Sequence, residues 1–192
     1  MEEPAGYTVS QRLCGRDAIH ADVDHRSVAD SVWRVDADPL GLVRLATEDD
    51  MAAAGRLLHD FNREFTEPTP PAGALATRLR HLLAGGDTVV LLAGGKDPIG
   101  LAVLRLRQAI WSLGLECYLA ELYVVPQQRR RGVGKELMQA AIREARESGA
   151  HTMDIGVDEP DIAARRLYET MGFTNRAGGA DGPLMYVYER DL

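Results

Sequence analysis

The sequence predicts an α+β domain in which helices flank a mixed, largely antiparallel sheet that has one β-α-β crossover. Three observations predict this class. After a first strand pattern come two helical patterns, and three strand patterns follow them, separated by short gaps that contain Gly or Asp and suit an antiparallel meander. After Pro126 the period changes to that of a long helix, and a further strand follows it, which gives one parallel step.

The first elements lie between residues 42 and 86. Residues 42–47 (LVRLAT) read as a strand, and Thr47 followed by acids predicts the start of a helix that runs to about Phe65. The TEPTPP segment ends that helix, because proline lacks an amide donor. Leucines at helical spacing predict a second helix over 72–83, closed by the glycine pair at 85–86.

The remaining elements follow the same two periods. An apolar stripe predicts a long helix that begins after the Arg-Gly turn at 129–134 and ends near Gly149. The predicted strands are 88–94, 98–111, 116–126, 151–157 and 184–192, with a helix over 161–172 before the last of them. The predicted domain covers residues 41–192.

Residues 1–40 show no sustained period, and they hold eight acids against four arginines. We interpret them as a loosely packed N-terminal extension; an arm that caps a partner subunit is the alternative.

Composition narrows the classes of function. The chain has 192 residues, 22 Lys plus Arg and 29 Asp plus Glu, so the net charge of −7 predicts no nucleic-acid partner. No apolar run approaches the roughly 18 residues of a membrane span, and the acidic N-terminus does not read as a secretory signal. Cys14 and Cys117 match no metal-ligand spacing and form no disulfide framework. We expect a cytoplasmic protein without a metal.

The segment 121–138 is the informative one, because a strand runs through Pro126 into an Arg-rich turn that opens a long helix. Gly132 and Gly134 let the backbone turn tightly and approach a ligand. The amides of the turn and of the first helical residues then point outward at the positive end of the helix dipole. This predicts an anion site, and a diphosphate is the obvious ligand. A capped loop without a ligand is the alternative.

Two motifs resemble those of a known family. The spacing Arg129-x-x-Gly132-x-Gly134 before a helix resembles the acetyl-CoA-binding motif of the GNAT superfamily of N-acetyltransferases. The segment RRLYETMGF (165–173) resembles the other signature of that family. The order of elements from residue 42 to 192 also agrees. The pattern differs from a P-loop, which would need Gly-Lys-Ser or Gly-Lys-Thr, and from the three-glycine dinucleotide motif.

The resemblance implies acetyl-CoA as cosubstrate and a set of residues that bind it. Turn amides would hold the pyrophosphate, with side-chain charge from the arginines and the lysine. The preceding strand would bond the pantetheine arm and present an amide near Val124 to the thioester carbonyl. Asp161 stands where the family often has a pantetheine-binding asparagine. The implied residues are Leu122, Tyr123, Val124, Arg129, Arg130, Arg131, Gly132, Val133, Gly134, Lys135 and Asp161.

Glu121 and Tyr168 are the candidate catalytic residues. An alkylamine has a pKa of about 10.4 and must lose a proton before it attacks, and several family members have a basic glutamate at the position of Glu121. Strand alternation predicts that Glu121 shares a face with Leu119, Tyr123 and Val125. A structural glutamate is the alternative. Gly156 stands where other members keep a second glutamate.

Tyr168 matches the tyrosine that serves as general acid in the family, with a packing role as the alternative. Asp60, Glu64 and Glu67 end the first predicted helix and are candidates to receive a cationic amine beside the acceptor groove, although a solvated helix end is the simpler interpretation.

The sequence therefore predicts direct acetyl transfer, in a ternary complex, to a small-molecule or peptide amine, and the acidic surface favours a cationic one. The rival hypotheses are a non-catalytic acyl-CoA sensor and an interaction protein built on the same fold. A homodimer formed through an edge strand or the C-terminus stays open.

Overall fold

The computed structural model describes residues 42–188 and 190, and the N-terminal extension predicted for residues 1–40, with Cys14, lies outside them. Its elements, in chain order, are β1 (Val43–Leu45), α1 (Met51–Glu64), α2 (Ala72–Ala84), β2 (Thr88–Ala93), β3 (Gly100–Gln108), β4 (Leu115–Val124), α3 (Val133–Glu147), β5 (Ala150–Ile155) and α4 (Ile162–Thr170). Short 3-10 turns precede α1 (Glu48–Asp50) and α3 (Pro126–Gln128).

The sheet has five strands in the order β1-β2-β3-β4-β5. The first four pair antiparallel, and β5 lies parallel to β4. The parallel step follows from α3, which connects these two strands as a crossover helix. The predicted class, α+β with a largely antiparallel sheet and one β-α-β unit, is confirmed.

Each face of the sheet is covered by helices. On one face, a buried core forms between the helices α1 and α2 and the strand side chains that point toward them. It consists of Met51, Ala54 and Leu57 of α1, Leu79 of α2, and Val90, Leu92, Leu101, Val103 and Tyr123 of the strands. On the other face lies α3, whose Leu137 Cδ1 would be 3.1 Å from a Cβ at Gly100. This two-sided burial explains the nearly continuous apolar runs of β2 and β3.

Helices α1 and α2 cross closely at Gly55. A Cβ at this position would lie 2.5 Å from the Ala72 carbonyl oxygen and 2.7 Å from the Ala76 amide nitrogen. Both neighbours are backbone atoms and cannot rotate away, so only glycine permits this approach. The crossing keeps the helix pair over the middle of the sheet.

A β-bulge interrupts β4 at Ala120. Val103 of β3 pairs with Glu121, whereas the next residue, Leu104, pairs with Leu119. The extra residue moves Glu121 to the face opposite Leu119, so the prediction that they share a face is wrong. Glu121 does share the face that carries Tyr123, which is the face beneath α1 and α2.

The strands β4 and β5 separate after a short stretch. Their pairing ends at Leu119 and Ile155, whereas β4 continues to Val124. Val125 donates its N–H to the Ile99 carbonyl at 2.9 Å, on the β3 side. Because main-chain groups alternate along a strand, those of Leu122 and Val124 point to the other edge, where no strand of residues 42–188 pairs with them.

The final strand predicted over 184–192 is not formed by residues 184–188, and residues 189, 191 and 192 lie outside the description. Described residues from Tyr168 onward belong to a separate compact unit from the part of the chain that ends at Leu167. Within it, one bridge joins Arg176 to Leu184, and the Met185 amide donates to the Asn175 carbonyl at 2.7 Å. A ladder this short is marginal without a covered face, and Tyr188 is 90% exposed.

Within the described part of the chain, none of the helices combines the length and the apolar character that a membrane crossing requires.

Candidate active site

In the turn between β4 and α3, several consecutive main-chain amides find no acceptor among residues 42–188. Arg130 (φ +61°) and Gly132 (φ +89°) are both left-handed. The amides of Gln128 and Arg129 donate to Val125 and Pro126, and the helical bonds begin at Glu136, which donates to Gly132. Within residues 42–188, the structure shows no acceptor for the amides of residues 130–135. Amides gathered in this way at a helix N-terminus form an anion site.

Gly132 and Gly134 serve this turn for different reasons. A Cβ at Gly132 would meet nothing within 4 Å, so its positive φ is what favours glycine there. A Cβ at Gly134 would make ordinary contacts, 3.5 Å from Leu167 and 3.9 Å from Val124. Packing among the described residues therefore tolerates alanine at position 134.

The Arg129 side chain is held by other parts of the protein. Its Nε donates to the Val124 carbonyl at 2.8 Å, and its two terminal nitrogens donate to the Glu64 carboxylate at 2.6 and 2.7 Å. The guanidinium also lies over the Tyr123 ring, 5.6 Å from its centroid. The hydrogen bonds from Arg129, with a smaller contribution from a hydrogen bond with Tyr123, hold the pKa of Glu64 below its usual range. Glu64 thus anchors the turn to α1.

Other basic side chains of the turn are exposed. Arg130, Arg131 and Lys135 all lie at the surface, and Arg131 donates to the Gln128 amide oxygen at 3.2 Å. Their charges surround the row of amides and can reinforce attraction for a phosphate. Val133 is buried at the start of α3, so only its main chain can serve a ligand.

Glu121 lines a cavity of about 230 Å³ between α2 and the central strands. The cavity wall is mostly apolar and consists of Leu58, Leu75, Arg78, Leu79, Leu82, Val103, Arg105, Ala120 and Glu121. Burial raises the pKa of the Glu121 carboxyl. A carboxylate in such surroundings is a better proton acceptor than one in water, as a general base requires.

Asp161 is engaged at the start of α4, where its Oδ1 accepts the Ala164 amide at 3.1 Å. This is the bond of a helix N-cap. The Asp161 charge also adds, as the smallest of several causes, to the raised pKa of Arg129, which places Asp161 near the turn.

Tyr168 lies in the last turn of α4, and its ring meets Phe173 edge-on, with centroids 6.2 Å apart. It belongs to the C-terminal unit, apart from the unit that holds the residues above. Its assignment as the general acid stays a prediction.

The sequence did not point to three residues that the structure places at or near the candidate site. Arg78 and Arg105 line the cavity, and the Tyr118 hydroxyl lies 3.4 Å from where a Cβ of Gly156 would be. Arg78 did leave a signal, because it interrupts the apolar stripe of α2 between Leu75 and Leu79. Tyr118 and Arg105 left none, because only the strand register places them on this face.

The residues of 42–188 include no group of three or more His, Cys, Asp or Glu side chains placed to hold a metal ion. Cys117 is buried in β4, and burial raises the pKa of its thiol to about 11. A thiol with this pKa is not a ready nucleophile.

The acetyltransferase (GNAT) family model matches residues 54–173, which is more than half of the chain. The chain therefore belongs to the GNAT family. The match includes α1, the sheet from β2 to β5, the turn at Arg129 and the Tyr168 helix.

Individual relatives agree with this GNAT assignment. The chain is 28% identical over 137 residues to the uncharacterized N-acetyltransferase YhfO of Bacillus subtilis (strain 168), covering 71% of this chain and 91% of that one. It is 41% identical over 97 residues to the mycothiol acetyltransferase of Clavibacter sepedonicus, covering 50% and 29%. A crystal structure of a candidate acetyltransferase from Arthrobacter sp. FB24 superimposes with a TM-score of 0.71 at 46% identity, covering 79% and 96%.

This GNAT protein is an acetyl-CoA-dependent N-acetyltransferase, as the sequence predicted. The family uses acetyl-CoA as cosubstrate.

Proposed function

We propose that this enzyme transfers the acetyl group of acetyl-CoA directly to a primary amine while both substrates are bound. One observation carries the proposal: among residues 42–188, no main-chain acceptor pairs with the amides of residues 130–135, and no strand pairs with the edge of β4 beyond Leu119. The first amides of any helix lack an intrahelical acceptor, and here those of Arg130, Arg131 and Gly132 lack one as well. A pyrophosphate joined to an extended arm would satisfy these amides and the strand edge together.

Within this proposal, the cofactor contacts divide between the turn and the strand. The amides of residues 130–135 and the exposed Arg130, Arg131 and Lys135 hold the pyrophosphate. The outward main-chain groups of Leu122 bond the pantetheine as a neighbouring strand would, and the outward amide of Val124 is left for the thioester carbonyl.

Tyr123 and Arg129 act indirectly in this arrangement. Tyr123 pairs with Leu101 of β3, and its ring lies under the Arg129 guanidinium. Arg129 in turn is committed to Glu64 and to the Val124 carbonyl. Both residues therefore position the turn and the end of β4, and Asp161, as the cap of α4, positions the helix near the turn.

Acetyl-CoA supplies the acetyl group as an activated thioester. Glu121 accepts a proton from the acceptor ammonium, directly or through a water, because its apolar surroundings raise its affinity for protons. The neutral nitrogen then attacks the carbonyl carbon, and the Val124 amide donates to the oxygen that becomes negative. As the C–S bond breaks, the attacking nitrogen loses its second excess proton to water and becomes the amide. Following the family resemblance, we assign to Tyr168 the proton that neutralises the departing sulfur, and the phenolate then regains a proton from water.

Two measurements test this proposal. Calorimetry should detect binding of CoA, and a thiol-release assay with acetyl-CoA should give turnover with at least one class of primary amine. Initial rates with both substrates varied should give intersecting reciprocal plots, as a ternary complex requires. Parallel plots would instead indicate an acetylated enzyme, and CoA binding without thiol release across the amine classes would favour a sensor.

A further inference from the structure

The cavity beside Glu121 has an unusual distribution of charge for a pocket that receives an amine. Apart from the Glu121 carboxyl, its charged groups are two arginines, Arg78 from α2 and Arg105 from β3. The rest of the wall is aliphatic. The acidic surface of the whole chain predicted a cationic acceptor, but the charges that line this cavity point to a different one.

Of the two arginines, Arg78 has its guanidinium available to bind a ligand. Within the described part of the chain it has no hydrogen-bond or ion-pair partner, and it lies on the same side of α2 as Leu75, Leu79 and Leu82. Arg105 is partly engaged, because one of its terminal nitrogens donates to Asp87 at 3.1 Å. A second anion at Arg105 would therefore be held less strongly than one at Arg78.

Neither arginine pairs with Glu121. Within residues 42–188, Glu121 takes part in no ion pair, and Arg105 pairs instead with Asp87. The cavity therefore carries one carboxylate and two guanidinium groups that are not paired with it, on a wall that is otherwise aliphatic.

We propose that the acceptor is a small amino acid-like molecule: an amine that carries a carboxylate and an apolar side chain. This inference rests on the proposed function. The amine lies at Glu121, the carboxylate pairs with Arg78, and the side chain packs on the α2 leucines. Arg78 is then a specificity-determining residue that fixes the acceptor without taking part in proton transfer.

Polycationic amines fit the cavity poorly. A second ammonium group in the cavity would lie near Arg78 or Arg105, and like charges repel.

The test compares acceptors that differ only in the carboxylate. Three pairs serve: leucine and 3-methylbutylamine, methionine and 3-(methylthio)propylamine, and phenylalanine and 2-phenylethylamine. Thiol release is measured with wild type, with Arg78→Gln, and with Arg80→Gln, a control on the same helix that does not line the cavity.

For at least one pair, the amino acid should exceed its decarboxylated partner in kcat/KM by about tenfold or more, since a bond between charged groups is lost without the carboxylate. Arg78→Gln should bring that ratio close to one through a lower kcat/KM for the amino acid, while leaving the KM for acetyl-CoA unchanged. Arg80→Gln should preserve the ratio.

Several outcomes overturn the inference. Equal or better rates with every decarboxylated amine, or an equal loss with both members of a pair in Arg78→Gln, would remove Arg78 from carboxylate recognition. Turnover confined to polyamines would leave the enzyme assignment intact and refute this acceptor class. Failure of CoA to bind in calorimetry would instead refute the proposed function itself.

Discussion

Glu64 and Arg129 join the end of α1 to the turn after β4 through two parallel hydrogen bonds of 2.6 and 2.7 Å. The same guanidinium donates to the last carbonyl of β4, at Val124. One side chain therefore sets the relative position of the first helix, the strand edge and the proposed anion site. Two-point pairing of this kind has a fixed geometry that a lysine cannot reproduce.

Replacing Arg129 by lysine should weaken CoA binding more than it weakens the fold. The variant keeps a positive charge but loses the two-point pair, so the turn is held less firmly. We expect the CoA dissociation constant to rise by about tenfold and the free energy of unfolding to fall by about 1 kcal/mol. Calorimetry and urea unfolding measure the two effects.

A matched control for this change is Arg107→Lys, because Arg107 pairs with Glu116 at 2.8 Å but lies far out in solvent. It should alter stability by less than about 0.5 kcal/mol and CoA binding not at all. If Arg129→Lys behaves in the same way, the pair with Glu64 does not position the turn.

Gly134→Ala should reduce CoA affinity without loss of stability. The added Cβ meets only ordinary contacts inside the protein, and alanine stabilises a helix more than glycine does.

Gly132→Asp should abolish CoA binding, because it adds a negative charge at the proposed anion site. Calorimetry with CoA, beside thermal unfolding of each variant, checks both; unchanged affinity in Gly134→Ala would mean that the ligand does not approach there.

Glu121→Gln should remove the acid limb of the pH profile. As the base, Glu121 must be ionised, so wild-type kcat/KM should rise with pH through a pKa above the ordinary 4.5 of glutamate. The variant should lose about 10²-fold in kcat/KM and show a flat profile in that range. A profile that keeps the same limb would assign the proton transfer to another group.

Glu121→Gln should also change the stability of the fold, in the direction opposite to its effect on activity: activity falls and stability rises. Because burial raises the pKa of Glu121, the folded state binds its proton more tightly than the unfolded chain does, and stability falls as pH rises through the interval between the two pKa values. Glu121→Gln lacks this decrease. The variant should therefore gain stability relative to wild type between acid and neutral pH, which urea unfolding at several pH values will show.

Tyr168→Phe should lower kcat while leaving the KM for acetyl-CoA near its wild-type value. The phenol is assigned to protonate the departing thiolate, a step that binding does not involve. Phenylalanine keeps the ring that packs against Phe173, so the C-terminal unit should stay folded. Wild-type turnover across the pH range would leave Tyr168 with a packing role only.

Gly55→Ala should destabilise the protein by about 1–3 kcal/mol, since the new Cβ would overlap backbone atoms of α2. Gly73→Ala is the matched control: a Cβ there meets nothing within 4 Å, and alanine in a helix should stabilise by about 0.5–1 kcal/mol. Urea unfolding of the two variants separates crowding from helix propensity. Equal effects would show that the helices can part at Gly55 without cost.

Local signals predicted the turn at Arg129 and the class of the fold. The glycines, the proline and the change of period all lie within a few residues of the turn, so its geometry follows from nearby chemistry. The bond between Glu64 and Arg129 could not be predicted in that way, because 65 positions separate the two residues. It depends on how α1 packs on the sheet.

The errors have a similar cause. Strand alternation gave no sign of the bulge at Ala120, which only the pairing with β3 reveals. Leu119, which precedes the bulge, was therefore wrongly assigned to the face of Glu121. The segment from Leu184 is rich in residues that favour strands, but a strand also needs a partner, and among residues 168–188 the structure shows a single bridge, from Arg176 to Leu184. Pattern alone reports a tendency, and pairing decides the outcome.

The divergence of β4 from β5 also affects how the purified enzyme will behave. An unpaired strand edge accepts any extended main chain, including that of another copy of the same chain. We expect ligand-free solutions to self-associate on standing and CoA to suppress this, which light scattering can follow. The bound cosubstrate would then keep the enzyme from self-associating, so purified enzyme should be stored with CoA.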